Sequence, residues 1–157
     1  MRRKDREVID IEKIENIIKK CYCCRIGFND NGKVYIVPLN FGYERNGNYY
    51  TLYFHGAKAG KKFELSLMSP KVGFELDTGY QLKTANIACE HSSFYQSIIG
   101  NGKICIIDDY EEKLKALNLI MEHNTKKEDW KFNKNLVNSV AVFKIYVIEL
   151  SCKEHIC

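Results

Sequence analysis

His55, Gly56 and Ala57 stand immediately before a cluster of lysines, Lys58, Lys61 and Lys62. A β-rich run over 48–55 ends there, and a segment with helical spacing over 58–68 begins. The start of a helix carries backbone N–H groups without intrahelical partners and the positive end of the helix dipole, which suits a phosphate. Lys58 and either Lys61 or Lys62 fall at i, i+3 or i, i+4, on one face of that helix. Cations are mildly unfavourable at a helix N-terminus, so clustering them makes sense beside an anion. The alternative is an exposed basic helix face. Gly56 and Ala57 favour the anion, because small residues let the backbone approach a ligand.

Other residues could also do chemistry. Val37-Pro38-Leu39-Asn40 puts a proline inside a strand pattern, which belongs at an edge or a bulge, where free backbone groups can meet a ligand's heteroatoms; plain strand-edge packing is the competing explanation. Trp130, the one tryptophan, lies among charges and needs cover from its own core, a partner subunit or a flat ligand. The histidines, at 55, 91, 123 and 155, form no metalloprotease-like pattern and no hydrolase triad, and only His55 falls at a predicted ligand site. Cys21, Cys23 and Cys24, with Cys152, His155 and Cys157, lack the paired spacing of a structural zinc site. On a strand only Cys21 and Cys23 would share a face, and reduced thiols packed as small apolar groups are the simpler reading.

The elements that must position these groups follow from periodicity. Ile11, Ile14, Ile17 and Ile18 predict a helix over 11–20 capped by Asp10. Strands follow at 21–28, 33–45 and 48–55, joined by turns at Asn29-Asp30-Asn31-Gly32 and at Asn46-Gly47, a dipeptide suited to a type I′ hairpin. Ser69-Pro70 stops the 58–68 helix, a strand spans 71–78 and a polar loop spans 79–93. A long strand, 94–107, contains Gly100 and Gly102, which mark a bulge, a bend or a close ligand. A helix over 109–123 capped by Asp108 and a last strand over 137–150 complete the chain. Six strands with glycine bends suit a small antiparallel barrel with peripheral helices, a mainly β fold.

At 157 residues the chain is most simply one domain, 1–157, with room for a real core. Its net charge is +4, but the basic residues are interspersed with acids rather than gathered in a stripe, which argues against nucleic acid. No apolar run approaches the length of a membrane span and no signal peptide opens the chain, so a cytoplasmic protein without membrane contact is expected. Aromatics at 12% fit a strand-rich fold or a flat ligand.

The runs Tyr35 to Tyr43, Leu52 to Ala57 and Gly60-Lys61-Lys62 resemble the nitroimidazole-resistance proteins. Those belong to the pyridoxamine 5′-phosphate oxidase-like FMN-binding split barrels. Tyr95 to Lys103, Leu119 to His123, Val137 to Ile145 and the opening Met1 to Arg6 continue the likeness in the family's order. The resemblance implies a six-stranded antiparallel split barrel that forms a homodimer, with FMN in each of two clefts between subunits. Carried over, Val37, Pro38, Leu39 and Asn40 border the isoalloxazine. Phe54, His55, Gly56 and Ala57 run along the ribityl and phosphate, and Lys61 and Lys62 neutralise the phosphate. Ser97 and Ile98 lie near the cofactor, and Trp130 covers it from the partner. The implied activity is an FMN-dependent oxidoreductase passing electrons to a small flat acceptor, a nitroimidazole in the family's case, with His55 as candidate proton donor. Flavin storage without turnover and haem binding through His55, His91 or His155 are the alternatives. Pyridoxamine-phosphate oxidation itself needs further arginines, and beyond the N-terminal tail the chain has Arg25 and Arg45.

Overall fold

Alternating apolar residues fold into a sheet with a buried inner face. On one strand Cys24, Ile26 and Phe28 point into the core while Arg25 faces solvent. The computed structural model describes residues 3–156, so Met1, Arg2 and Cys157 lie outside the described residues. The early strands are β1 (Glu7–Val8), β2 (Cys24–Asp30), β3 (Lys33–Leu39), β4 (Gly42–Asn46) and β5 (Tyr49–Gly56). The later ones are β6 (Lys71–Lys83), β7 (Ser92–Ile107) and β8 (Ala141–His155). Helices are α1 (Ile11–Lys20), α2 (Lys61–Met68), α3 (Tyr110–Thr125) and α4 (Lys134–Ser139).

The fold is mainly β with peripheral helices, but eight strands replace the six expected. They pair antiparallel in the order β3-β2-β6-β7-β8-β5-β4, with β1 beside β8. The run expected as one strand, 33–45, breaks at Asn40-Phe41 into β3 and β4, which form opposite edges of the sheet. Leu39 and Gly42 are three residues apart, and the chain can span at most about 11 Å between them. The two edges must therefore curl toward each other, giving an open barrel.

Local chemistry explains the other departures. Asn31 (φ 51°) and Gly32 (φ 86°) make the type I′ turn between β2 and β3. In the second hairpin the register Asn46↔Tyr49 makes Gly47-Asn48 the central pair, and of these only Gly47 has positive φ (62°), a type II′ arrangement in place of the expected type I′. Lys58 lies outside α2, because the helix begins only after Gly60, whose φ of 92° no right-handed helix accepts. The strand expected over 137–150 starts late: Asn133 caps α4 by accepting from the Asn135 N–H at 2.9 Å, and Val137 is buried from that helix. Asp109 rather than Asp108 caps α3, accepting from the Glu112 N–H at 2.8 Å. α1 is the helix expected, with Asp10 accepting from the Lys13 N–H at 3.0 Å. It consumes Cys21, whose N–H bonds the Ile18 carbonyl and whose thiol donates to the Ile17 carbonyl at 3.3 Å. Cys21 and Cys24 are consequently the buried pair, and Cys23 is only half-buried. Among the described residues the cysteines are free and gather no metal-binding group. The expected loop over 79–93 is partly strand, since β6 runs to Lys83 through an irregularity at Gly79. The ladder beside Gly100 and Gly102 is bulged, with Ile148 of β8 the extra residue opposite Asn101 and Gly102, and a Cβ on either glycine would meet the β8 backbone.

Inside the curled sheet, α1 and α2 help fill a core of Ile17, Ile18, Ile26, Phe28, Phe41, Phe54 and Phe143. Outside it, α3 and α4 cover β5 and β8 through Tyr53, Ile107, Leu117, Ile120 and Val137. No described helix is long and apolar enough to cross a membrane.

Candidate functional site

The end of β5, the start of α2 and the tip of the β2–β3 hairpin meet at one end of the sheet. β4 stops pairing with β5 at Tyr53, so Phe54, His55 and Gly56 run past the sheet's edge. In the β4–β5 hairpin Asn46 and Tyr49 close the turn, so Thr51 and Tyr53 bond toward β4 and the alternate residues toward β8. By that alternation the N–H and C=O of His55 point outward, beyond the end of β4. Lys62 Nζ donates to this His55 carbonyl at 3.4 Å. The same ammonium lies 5.2 Å from the centre of the Phe143 ring and occupies the space that a Cβ on Gly56 would fill. Half-buried, it has no carboxylate partner among the described ion pairs. Loss of hydration holds its pKa below the ordinary lysine value. His55 is likewise held below its ordinary value, first by lost hydration and then by the charge of Lys62.

Lys61 is different. It pairs with the carboxylate of Asp30 and lies 5.4 Å from the centre of the Tyr35 ring. The Asp30 hydrogen bond raises its pKa above the ordinary value. The sequence brings both lysines to the same helix start; the hairpin decides that one is neutralised and the other is not. α2 has no side-chain N-cap, so its first-turn amides add further unpaired donors there.

The remaining predicted residues divide. Val37, Pro38 and Leu39 lie on β3, at the sheet's edge, where a proline was expected. With Asp30 and Lys33 closing the hairpin, Pro38 opposite Arg25 is a non-hydrogen-bonded pair, so its missing N–H costs the ladder nothing. The same alternation turns the peptide groups of Ile36 and Pro38 outward. Asn40 is engaged within the chain: its Nδ2 donates to the Tyr22 carbonyl and to Asn124 Oδ1, both at 3.1 Å. Phe54 and Ile98 are fully buried, leaving only backbone for a ligand. Ser97, half-buried, pairs with Lys153 on β8, whereas His55 is level with Val142 and Ile107. Ten residues of β7 separate those levels, roughly 33 Å of strand, so one protomer does not bring Ser97 to His55. Trp130 is 37% exposed, its indole N–H donating to the Lys127 carbonyl at 3.1 Å, at a cleft of about 390 Å³ shared with Asn118, Glu122 and Asp129.

With that geometry, comparison with known proteins becomes informative. A family model described as pyridoxamine 5′-phosphate oxidase matches residues 10–155. The chain belongs to this family. A candidate 5-nitroimidazole antibiotic resistance protein from Bacteroides thetaiotaomicron is 34% identical, with a TM-score of 0.81 over 94% of this chain and 86% of that one. The flavocytochrome Anf3 of Azotobacter vinelandii shares the fold at 20% identity and TM-score 0.80, over 100% of this chain and 72% of that one. So does a FAD- and haem-binding protein of Mycobacterium smegmatis, at 14% identity and TM-score 0.76, over 95% and 73%. No curated protein matches significantly.

A hollow of about 600 Å³ in this pyridoxamine 5′-phosphate oxidase family member lies elsewhere, between α1, β4 and α3. It is lined by Glu15, Arg45, Glu122, His123 and Lys126 among others. Its charges are largely answered from within: Glu15 pairs with Arg45 and Lys19, and Lys126 donates to the carbonyls of Lys19 and His123. Lys62 lines neither that hollow nor the cleft at Trp130, but its charge has no carboxylate partner among the described ion pairs. Sequence reasoning missed Asp30, Tyr35 and Phe143 as its neighbours. Asp30 carried only a turn signal, and nothing local announces that the β2–β3 hairpin folds against α2.

Proposed function

We propose that the chain is an FMN-binding oxidoreductase of the nitroreductase-like type, working as a homodimer with the flavin between subunits. The observation that carries this reading is the half-buried Lys62 ammonium, without a carboxylate partner and set against Gly56 and the outward-facing His55 peptide. A desolvated cation is costly unless an anion answers it, and a phosphate monoester is an anion of the right charge. The residues present therefore fit the phosphate end of FMN. The structural relatives, one named for nitroimidazole resistance, one a flavocytochrome and one a FAD- and haem-binding protein, support a flavin in general.

Each part of the chain has a task in this reading. His55, Gly56, Ala57 and Lys62 hold the phosphate, with the first-turn amides of α2 beside them. The outward peptide groups of β3 around Pro38 offer hydrogen bonds to the ring system. Ser97 lies about 33 Å of strand away from His55, so on this reading one flavin that meets both draws them from two chains. Trp130 would cover the ring from the partner. FMN, when bound, supplies the electron chemistry, and a flat acceptor such as a nitroimidazole would stack over its exposed face. His55, held toward the neutral form, serves as a hydrogen-bond relay for protons rather than as a standing acid.

The test is an absorption spectrum of the purified protein with mass spectrometry of the released ligand. Flavin bands and a mass of FMN are expected. A Soret band would replace the reading with haem binding, and a protein that neither carries nor takes up FMN would overturn it.

A further inference from the structure

Two adjacent lysines at the start of α2 face opposite electrostatic situations, and the difference comes from a single carboxylate. Asp30, the last residue of β2, pairs with Lys61 from across the hairpin. Lys62, one residue on, meets the His55 carbonyl and the Phe143 ring and no carboxylate among the described residues. Glu64, in the same first turn, is exposed and makes no ion pair among the described residues.

We infer that Asp30 is a specificity-determining residue that holds down the site's affinity for phosphate, by occupying Lys61 and keeping a negative charge beside the anion's seat. The inference rests on the FMN reading above and deepens it. With Asp30 present, Lys61, Lys62 and Asp30 together offer one net positive charge; without it they offer two. A phosphate monoester carries close to two negative charges at neutral pH, so it must either share Lys61 with the carboxylate or draw it away. A ligand without phosphate feels little of this competition. The consequence is a site that binds FMN reversibly through Lys62 and loses affinity through Asp30, so that the phosphate contributes less than two lysines could give.

The experiment titrates FMN and riboflavin into the flavin-free full-length protein, following flavin fluorescence, for wild type and for Asp30→Asn. FMN is expected to bind Asp30→Asn about two- to fivefold tighter, the scale of one exposed ion pair, with a steeper loss of affinity in added salt. Riboflavin affinity is expected to stay the same. In a Lys61→Ala background the Asp30→Asn gain should shrink, because the pairing it relieves is gone. Glu64→Gln removes an equal charge from the exposed side of the same turn and is expected to change FMN affinity little. An unchanged FMN affinity in Asp30→Asn, with Lys62→Ala still weakening binding, overturns the inference and leaves the FMN reading standing. So does an equal gain from Glu64→Gln, which would make the effect one of general charge. Failure of the wild type to bind FMN at all overturns both.

Discussion

Two glycines at strand ends show how differently the same residue type serves this molecule. Gly42 opens β4, and a Cβ there would meet the backbone of α3, with the Ile120 N and the Leu119 carbonyl carbon each 2.5 Å away. Gly56 closes β5, and a Cβ there would meet the movable end of the Lys62 side chain. Around Gly42 the polar side chains of α3 that face it have partners within the chain. Asn124 donates to the Phe41 and Ile120 carbonyls at 3.0 and 2.7 Å, and His123 shares a 2.7 Å hydrogen bond with the Cys21 carbonyl. Around Gly56 a half-buried cation meets a carbonyl and an aromatic ring but no carboxylate among the described ion pairs. The first region is finished by folding. The second keeps a charge that folding answers with no carboxylate among the described residues.

That contrast can be broken most forcefully at Gly42. Gly42→Ala pushes a side chain into helix backbone that cannot step aside, and should cost about 3 kcal/mol of stability in denaturant unfolding, with FMN affinity of the folded fraction unchanged. A loss under about 1 kcal/mol would mean that α3 docks less tightly than described. Next in size is His123→Leu. It removes a buried hydrogen bond, leaves the Cys21 carbonyl without its partner and should cost about 2 kcal/mol.

The same variant has a pH signature. Lost hydration holds the folded His123 pKa below the ordinary 6.5, so the unfolded chain binds the proton more readily. Stability from this group is complete above pH 6.5 and is lost as pH falls through the folded value. His55 has the same sign. Wild-type unfolding midpoints should therefore fall as pH drops below 6.5, and His123→Leu should fall less steeply; equal slopes would remove His123 from the account.

At the other end of the sheet the effects are on binding. Lys62→Ala should weaken FMN about tenfold, the low end for a charge-assisted hydrogen bond because the ammonium is half-exposed, and should leave stability the same or slightly higher. Smallest is Gly56→Ala, which displaces the Lys62 ammonium without straining the backbone. A weakening of FMN by about threefold is expected, with riboflavin unaffected. A loss of folding stability comparable to that of Gly42→Ala would show that the two glycines are not different in kind.

Much of this was legible from residue types. The 11–20 helix and its Asp10 cap, the stop at Ser69-Pro70, the edge position of Pro38 and the irregular ladder beside Gly100 and Gly102 all follow from rules that act within a few residues. The interruption of 33–45 was not legible, because Asn40 and Phe41 carry no breaker; their contacts with Tyr22 and α3, remote in sequence, end β3. The α4 helix was hidden for a similar reason, since Val137 suits a strand as well as the helix that buries it.

By itself the sequence determined the alternation that makes a mainly β chain, the place where β5 gives way to a lysine-bearing helix, and the presence of small residues at that junction. Those are properties of neighbours along the chain. Only the tertiary structure decided that Asp30 neutralises Lys61 while Lys62 stays unanswered, and that Ser97 lies far from His55. Ion pairs and strand levels depend on which distant segments the curled sheet brings together, and residue order does not display that.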